Sequence, residues 1–118
     1  MTTNDYLQKI KQNPETIEFT DLMDLIEDEY EFTATAFKNG ELENLETENL
    51  GSCKVFSFAQ MHDLSVDETL ACFGIYYRED VLQNPDATDH QNIRNFMQTG
   101  WEGIKFSNVA LKAKNAQK

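Results

Sequence analysis

Between residues 19 and 30 the apolar positions Phe19, Leu22, Met23, Ile26 and Tyr30 fall at i, i+3, i+4, i+7 and i+11. That spacing lays them along one face of an α-helix, with Asp21, Asp24, Glu27 and Asp28 around the rest. Upstream, Asn4 can cap a short helix from Asp5 to about Gln12; Asn13-Pro14 ends it, because the residue before a proline avoids the helical region. Downstream the pattern changes. Phe32-Thr-Ala-Thr-Ala-Phe37 suits a strand, and Asn39-Gly40 suits a type I′ hairpin turn returning along Glu41–Asn44. A two-stranded ribbon is marginal alone, and Gly103–Phe106 is the late candidate for a third strand.

In the middle of the chain, Gly51-Ser52 reads as a loop and N-cap for a helix from Cys53 to about His62. The apolar run Val55–Ala59 within it also fits a buried strand; the capping serine favours helix. Ser65-Val-Asp-Glu68 is a capping box, opening a helix whose core face is Val66, Leu70, Phe73, Gly74 and Tyr77, to about Arg78. Asn84-Pro85 breaks the chain. Thr88-Asp-His-Gln91 has the spacing of a second box, for a helix through Gln98 with Ile93, Phe96 and Met97 inward and Gly100 as its stop. From Ser107 onward the residues turn small, polar and basic, which predicts a frayed end. No repeat or linker divides the chain. The expected fold is therefore α+β: a single domain over residues 1–118, with about four to five helices packed on a small antiparallel sheet that contains the Asn39-Gly40 hairpin.

Composition narrows the function classes. The 118 residues are 40% hydrophobic, with eight Phe, four Tyr and one Trp, enough for a real core. The formal net charge of −11 argues against nucleic-acid phosphates and against an anionic membrane surface. No run approaches a membrane span, and the N-terminus lacks a secretory signal pattern. Residues 1–59 hold thirteen acids against four bases, concentrated in Asp21–Glu48. Such a stretch is either a solvated face or a docking surface for a basic protein partner.

Candidate chemistry is sparse. Phosphate loops, nucleophile elbows, metalloprotease helices and calcium loops are missing, and two histidines and two cysteines fit no metal pattern, so no metal or cofactor is expected. Cys53 and Cys72 read as reduced thiols of a cytosolic product, with one structural disulfide as the alternative. Cys53 and His90 are the weak candidates for a catalytic pair, each placed at an expected helix start, with Asp89 and Asn92 near enough to orient the imidazole. Set against this, a cysteine at such a place is more commonly a small buried residue. Arg78 and Arg94 sit beside aromatics and suit either internal ion pairs or an anionic ligand. His90 and Arg94, spaced i, i+4, would share a helix face, and Trp101 reads as a core anchor or one wall of a pocket.

Five blocks then carry a resemblance: Tyr30-Glu-Phe-Thr-Ala-Thr-Ala-Phe-Lys-Asn-Gly40, Gly51-Ser-Cys-Lys54, Leu70-Ala-Cys-Phe-Gly-Ile-Tyr-Tyr-Arg-Glu-Asp-Val81, Asp89-His-Gln-Asn-Ile-Arg94 and Gly100-Trp-Glu-Gly103. In this order, from about Pro14 to Phe106, they resemble the HopJ family of type III effectors. Ala34 stands where the family pattern has proline, which touches only local turn geometry. The resemblance implies a bacterial protein of the cytoplasm, delivered into a host cell by a type III system, with a role in virulence. No catalytic residues come with it. The short polar start, Thr2 to Gln12, is compatible with such export. The leading expectation is a non-enzymatic interaction protein using its acidic surface. The alternatives are an enzyme or small-ligand binder with a Cys53/His90/Arg94 site, and a housekeeping cytosolic protein that is never exported.

Overall fold

The chain is described by a computed structural model over residues 1–114. Helix α1 (Thr3–Gln12) starts earlier than the Asn4 cap predicts. Thr2 caps it instead: its hydroxyl accepts from the Asp5 amide at 3.1 Å and the Asp5 carboxylate accepts from the Thr2 amide at 3.3 Å. Tyr6 and Ile10, one turn apart, are buried. Asn13 closes the helix and Pro14–Thr16 forms a 3₁₀ turn. Helix α2 (Phe19–Glu29) follows the predicted period; Leu22, Leu25 and Ile26 face the core while Phe19 and Met23 lie at its edge.

Tyr30 ends α2 and opens β1 (Tyr30–Phe32). The expected strand Phe32–Phe37 is split, because the chain leaves one sheet and enters another across residues 33–36. β1 pairs antiparallel with β5 (Leu111–Ala113), and β2 (Phe37–Asn39) is the centre of a second sheet between β3 (Leu42–Asn44) and β4 (Ile104–Phe106). The late third strand is thus β4. The hairpin is present, but its tip is shifted: Asn39 pairs with Leu42, so Gly40-Glu41 makes the turn and Gly40 alone takes a positive φ, of 63°. Asn39 is a fully buried strand residue. The frayed end is also corrected. Ala110 and Leu111 are buried, and β5 is tied to β1 through Phe32↔Leu111; residues 115–118 lie outside the described residues.

Helix α3 (Leu50–Met61) runs through the middle. Cys53, Val55, Phe56, Phe58 and Ala59 are all buried, so it is apolar nearly all round, which is why one-face periodicity could not separate it from a strand. The Phe56 ring lies 5.9 Å from Phe37, 5.6 Å from Phe73 and 4.9 Å from Phe96, joining sheet and helices in one core. Helix α4 (Val66–Ala71) has the expected box, Glu68 amide to Ser65 Oγ at 3.1 Å and Ser65 amide to Glu68 at 2.9 Å. It stops well before Arg78. Gly74 turns the chain with φ of 62°, and a Cβ there would sit 2.8 Å from the Phe19 backbone nitrogen, so only glycine allows the approach to α2. A π-helical turn, Tyr76–Val81, follows. Helix α5 (Gln91–Thr99) lacks the predicted Thr88 box; His90 precedes it in the left-handed region and Gly100 ends it. Ile93 and Phe96 point inward as expected, whereas Met97 is 42% exposed.

Candidate functional site

Two helix starts meet at one depression. Asn49, ahead of α3, has φ 51° and ψ 47°; His90, ahead of α5, has φ 51° and ψ 48°. Neither caps its helix with its side chain. Ser52, expected as the cap, lies inside the first turn of α3. The first intrahelical bonds are Cys53 amide to Asn49 carbonyl at 3.0 Å and Arg94 amide to His90 carbonyl at 3.1 Å. The amides of Leu50, Gly51 and Ser52, and of Gln91, Asn92 and Ile93, therefore take no carbonyl from their own helices. Between these starts lies a cleft of about 550 Å³, walled by Phe19, Phe73 and Tyr76 and edged by Ser52, His90 and Gln91. Among the described residues no lysine or arginine lines it.

The floor is held by buried amides. Asn39 Nδ2 donates to the Asn92 carbonyl at 2.7 Å and to Asn92 Oδ1 at 3.0 Å. Asn44 Nδ2 donates to the same Oδ1 at 3.2 Å, and Asn92 Nδ2 returns a bond to Asn44 Oδ1 at 2.9 Å. Asn49 Nδ2 donates to Asn44 Oδ1 at 2.6 Å. These bonds lock the hairpin to both helix starts. On the rim, His90 Nε2 is 3.1 Å from Asp80 Oδ2, and its ring centroid is 5.4 Å from that of Tyr76, which meets Phe19 edge-on at 5.3 Å.

Of the candidate site residues Cys53, His90, Arg78, Arg94 and Trp101, His90 reaches this cleft and the other four do not; Asn92, expected near the His90 ring, lies in its floor. Cys53 is 1% exposed and its thiol points to the Thr35 carbonyl at 3.8 Å. Burial pushes that thiol's pKa up, against weaker opposing hydrogen bonds. His90 is oriented by Asp80 and makes no bond to the Cys53 thiol, so Cys53 and His90 do not form a nucleophile and base. Arg94 turns away from the cleft. It donates to Asp89 Oδ1 at 2.7 Å, to the Asp89 carbonyl at 2.6 Å and to the Asn84 carbonyl at 2.9 Å, pinning the exposed loop before α5. That hydrogen bond is the main reason the Asp89 carboxyl lies below its usual range. Arg78 donates to the Pro14 carbonyl at 3.4 Å, and Trp101 donates to the Leu64 carbonyl at 2.9 Å while packing on Phe56 and Phe96. Both cysteines are free, and no cluster of metal-binding side chains occurs among the described residues.

Phe19, Tyr76, Asn49 and Gln91 are site residues that sequence reasoning missed. Phe19 sits where helical periodicity assigns core, Tyr76 falls outside the face of Val66, Leu70, Phe73, Gly74 and Tyr77 that the periodicity picks, and two left-handed residues at helix starts leave no sequence signal.

The family model described as HopJ type III effector protein matches residues 3–111. The chain belongs to the HopJ family. A solved structure titled "Crystal structure of unknown function protein VPA0580" is 54% identical to this HopJ chain, with a TM-score of 0.95 over 97% of this chain and 95% of that one. No curated protein matches the chain. Among the described residues no helix is long and apolar enough to cross a membrane.

Proposed function

We propose that this HopJ protein is a type III effector-like protein that leaves the bacterial cytoplasm for a host cell, serves virulence there, and acts without catalysis by docking a basic protein partner on its acidic surface. Family membership supports the effector part. The observation that supports docking is that the surplus charge is not used inside the molecule. Within Asp21–Glu48, Asp21 alone joins an ion pair among the described residues, with Lys9 at 3.5 Å. Asp24, Glu27, Asp28, Glu31, Glu41, Glu43, Glu46 and Glu48 are exposed. Such charges repel one another, and a cationic partner relieves that repulsion and releases bound counterions. Sealing of Cys53 and the outward turn of Arg94 weigh against an enzyme built from Cys53, His90 and Arg94.

The test is binding of a Lys/Arg-rich peptide measured by fluorescence anisotropy from about 20 to about 300 mM salt, where screening shortens from about 20 Å to under 10 Å. Affinity should fall at least about tenfold, and a variant combining Glu41→Lys, Glu43→Lys and Glu46→Lys should lose most of it. An affinity indifferent to salt and to these reversals sinks the reading.

A further inference from the structure

Independently of any docking partner, we propose that Asn39-Gly40 is a self-modification site which the fold keeps silent: in the unfolded chain it converts to aspartate or isoaspartate, and the converted chain does not return to this fold. Asn39-Gly40 is the one Asn-Gly pair in the sequence. In water the main-chain nitrogen of such a glycine, unshielded by a Cβ, attacks the asparagine side-chain carbon Cγ. The bond from Cγ to Nδ2 breaks, and Nδ2 leaves as ammonia with the proton given up by the glycine nitrogen. A cyclic imide remains. Water then adds to either of its carbonyls, giving aspartate or isoaspartate.

Both reacting atoms are engaged in the folded protein. Nδ2, the leaving group, donates to the Asn92 carbonyl at 2.7 Å and to Asn92 Oδ1 at 3.0 Å. The Gly40 amide, the nucleophile, donates to the Gly103 carbonyl at 2.9 Å. Asn95 Nδ2 donates to the Asn39 main-chain carbonyl at 3.1 Å, so the peptide joining the two residues is held as well. Ring closure breaks bonds at both ends, and at 0% exposure Asn39 meets no water that could open the imide. Reaction therefore waits on opening of β2, the central strand of its sheet.

The same contacts make the step one-way. An aspartate at position 39 sets a carboxylate oxygen where Nδ2 stood, against two acceptors at 2.7 and 3.0 Å. Its other oxygen inherits the place of Asn39 Oδ1, which has no donor among the described residues. Turning the Asn92 side chain offers its Nδ2 but takes that donor from Asn44 Oδ1, and the Asn92 main-chain carbonyl stays where it is. A fully buried carboxylate without donors is strongly destabilising. Isoaspartate adds a main-chain carbon where Asn39 pairs with Leu42 on one side and Ile104 on the other, which breaks both registers. Time spent unfolded is thus recorded covalently, and the recorded chains drop out of the folded pool.

The experiment incubates the full-length chain in mildly alkaline buffer, folded and in guanidinium chloride, and follows the Asn39-Gly40 peptide by mass spectrometry. Conversion should be at least about a hundredfold slower in the folded protein, since opening a central strand takes a large share of the global stability. After dilution of the denaturant, converted chains should be depleted at least about tenfold from the native gel-filtration peak. Asn39→Asp, the product made directly, should lack native near-ultraviolet circular dichroism at neutral pH. It should regain part of that signal on mild acidification, where a protonated carboxyl donates to the Asn92 carbonyl again. Conversion of the folded protein at close to the unfolded rate overturns the silencing. Converted chains recovered in the native peak in proportion to their formation, or an Asn39→Asp protein as stable as the natural one at neutral pH, overturn the one-way step.

Discussion

Truncating Asn92 to alanine tests whether the floor of the cleft is a structural lock. Asn92 is 5% exposed, and its amide makes three side-chain bonds, to Asn39 Nδ2 at 3.0 Å, Asn44 Nδ2 at 3.2 Å and Asn44 Oδ1 at 2.9 Å. The partners are not equally exposed to the loss. Asn39 Nδ2 keeps the Asn92 main-chain carbonyl at 2.7 Å, and Asn44 Oδ1 keeps Asn49 at 2.6 Å. Asn44 Nδ2 keeps only a long contact to the Phe37 carbonyl at 3.5 Å, so it becomes close to an orphaned buried donor. One near-orphan at about 1–3 kcal/mol, together with the lost net bonds, gives an expected loss of about 2–4 kcal/mol. Urea unfolding followed by far-ultraviolet circular dichroism measures it. Met97→Ala, on the exposed face of the same helix, is the control and should stay within about 0.5 kcal/mol of wild type. A loss below about 1 kcal/mol for Asn92→Ala would refute the lock, because the neighbours would then have found other partners or water.

Four further outcomes follow from the packing. Phe37→Ala and Phe73→Ala should each cost about 3–5 kcal/mol in urea unfolding, since both rings are 2% exposed; under about 1 kcal/mol at either would place it outside the core. Gly74→Ala should destabilise by more than about 1 kcal/mol, given its positive φ and the 2.8 Å approach to the Phe19 nitrogen, and an unchanged midpoint would deny that contact. Burial, opposed by Asp63, lowers the pKa of His62 from its usual 6.5, and Tyr30 Oη lies 2.9 Å from its Nε2. The folded protein takes up that proton less readily than the unfolded chain, so the stabilisation is complete above about pH 6.5 and lost as pH falls through the lowered value. His62→Gln should flatten the stability profile just below about pH 6.5, and an unchanged slope would assign it to other groups. Finally, Cys53 and Cys72 should resist alkylation by iodoacetamide until urea unfolds the chain, because burial raises both thiols, Cys72 to about 12; rapid native labelling, read by mass, would contradict this.

Elements that a local rule specifies were legible in the sequence. The 3.6-residue period of α2, the Ser65–Glu68 box, the Asn13-Pro14 break and the Gly100 stop each depend on contacts within a few residues, and each stands where the pattern puts it. The α+β class and the late strand over residues 104–106 were legible for the same reason. Errors came where a distant partner decides. Asn39 looks like a turn residue because Asn-Gly pairs usually are, yet Asn92, fifty-three positions away, draws it into the sheet and moves the turn on by one. Residues 110–113 are polar and basic enough to suggest fraying, but two buried apolar side chains and the β1 edge hold them. Of the candidate site residues, His90 was placed at the cleft and Arg94 was not, because i, i+4 spacing assumes both are inside the helix. His90 precedes it in a left-handed conformation.

That same left-handed conformation ties the polar core to the surface above it. Left-handed backbone at a non-glycine residue is costly and persists where the surroundings over-determine it. At Asn49 the determinant is the bond to Asn44; at His90 it is the pair formed by Asp80 on one side and the Arg94-pinned loop on the other. Helical side-chain capping, the ordinary way to satisfy a first turn, is given up at both places. Asn49 could cap α3 with its own amide oxygen; its side chain instead donates into the Asn44–Asn92 cluster. The arrangement therefore fixes the relative position of two helix starts at the expense of capping either, and it does so beneath an aromatic wall. A core built for stability alone would gain more from apolar side chains at positions 39, 44 and 92, since a buried polar cluster at best offsets its own desolvation. What the asparagines contribute that leucines could not is directional: they hold the starts of α3 and α5 in a fixed relation at one cleft.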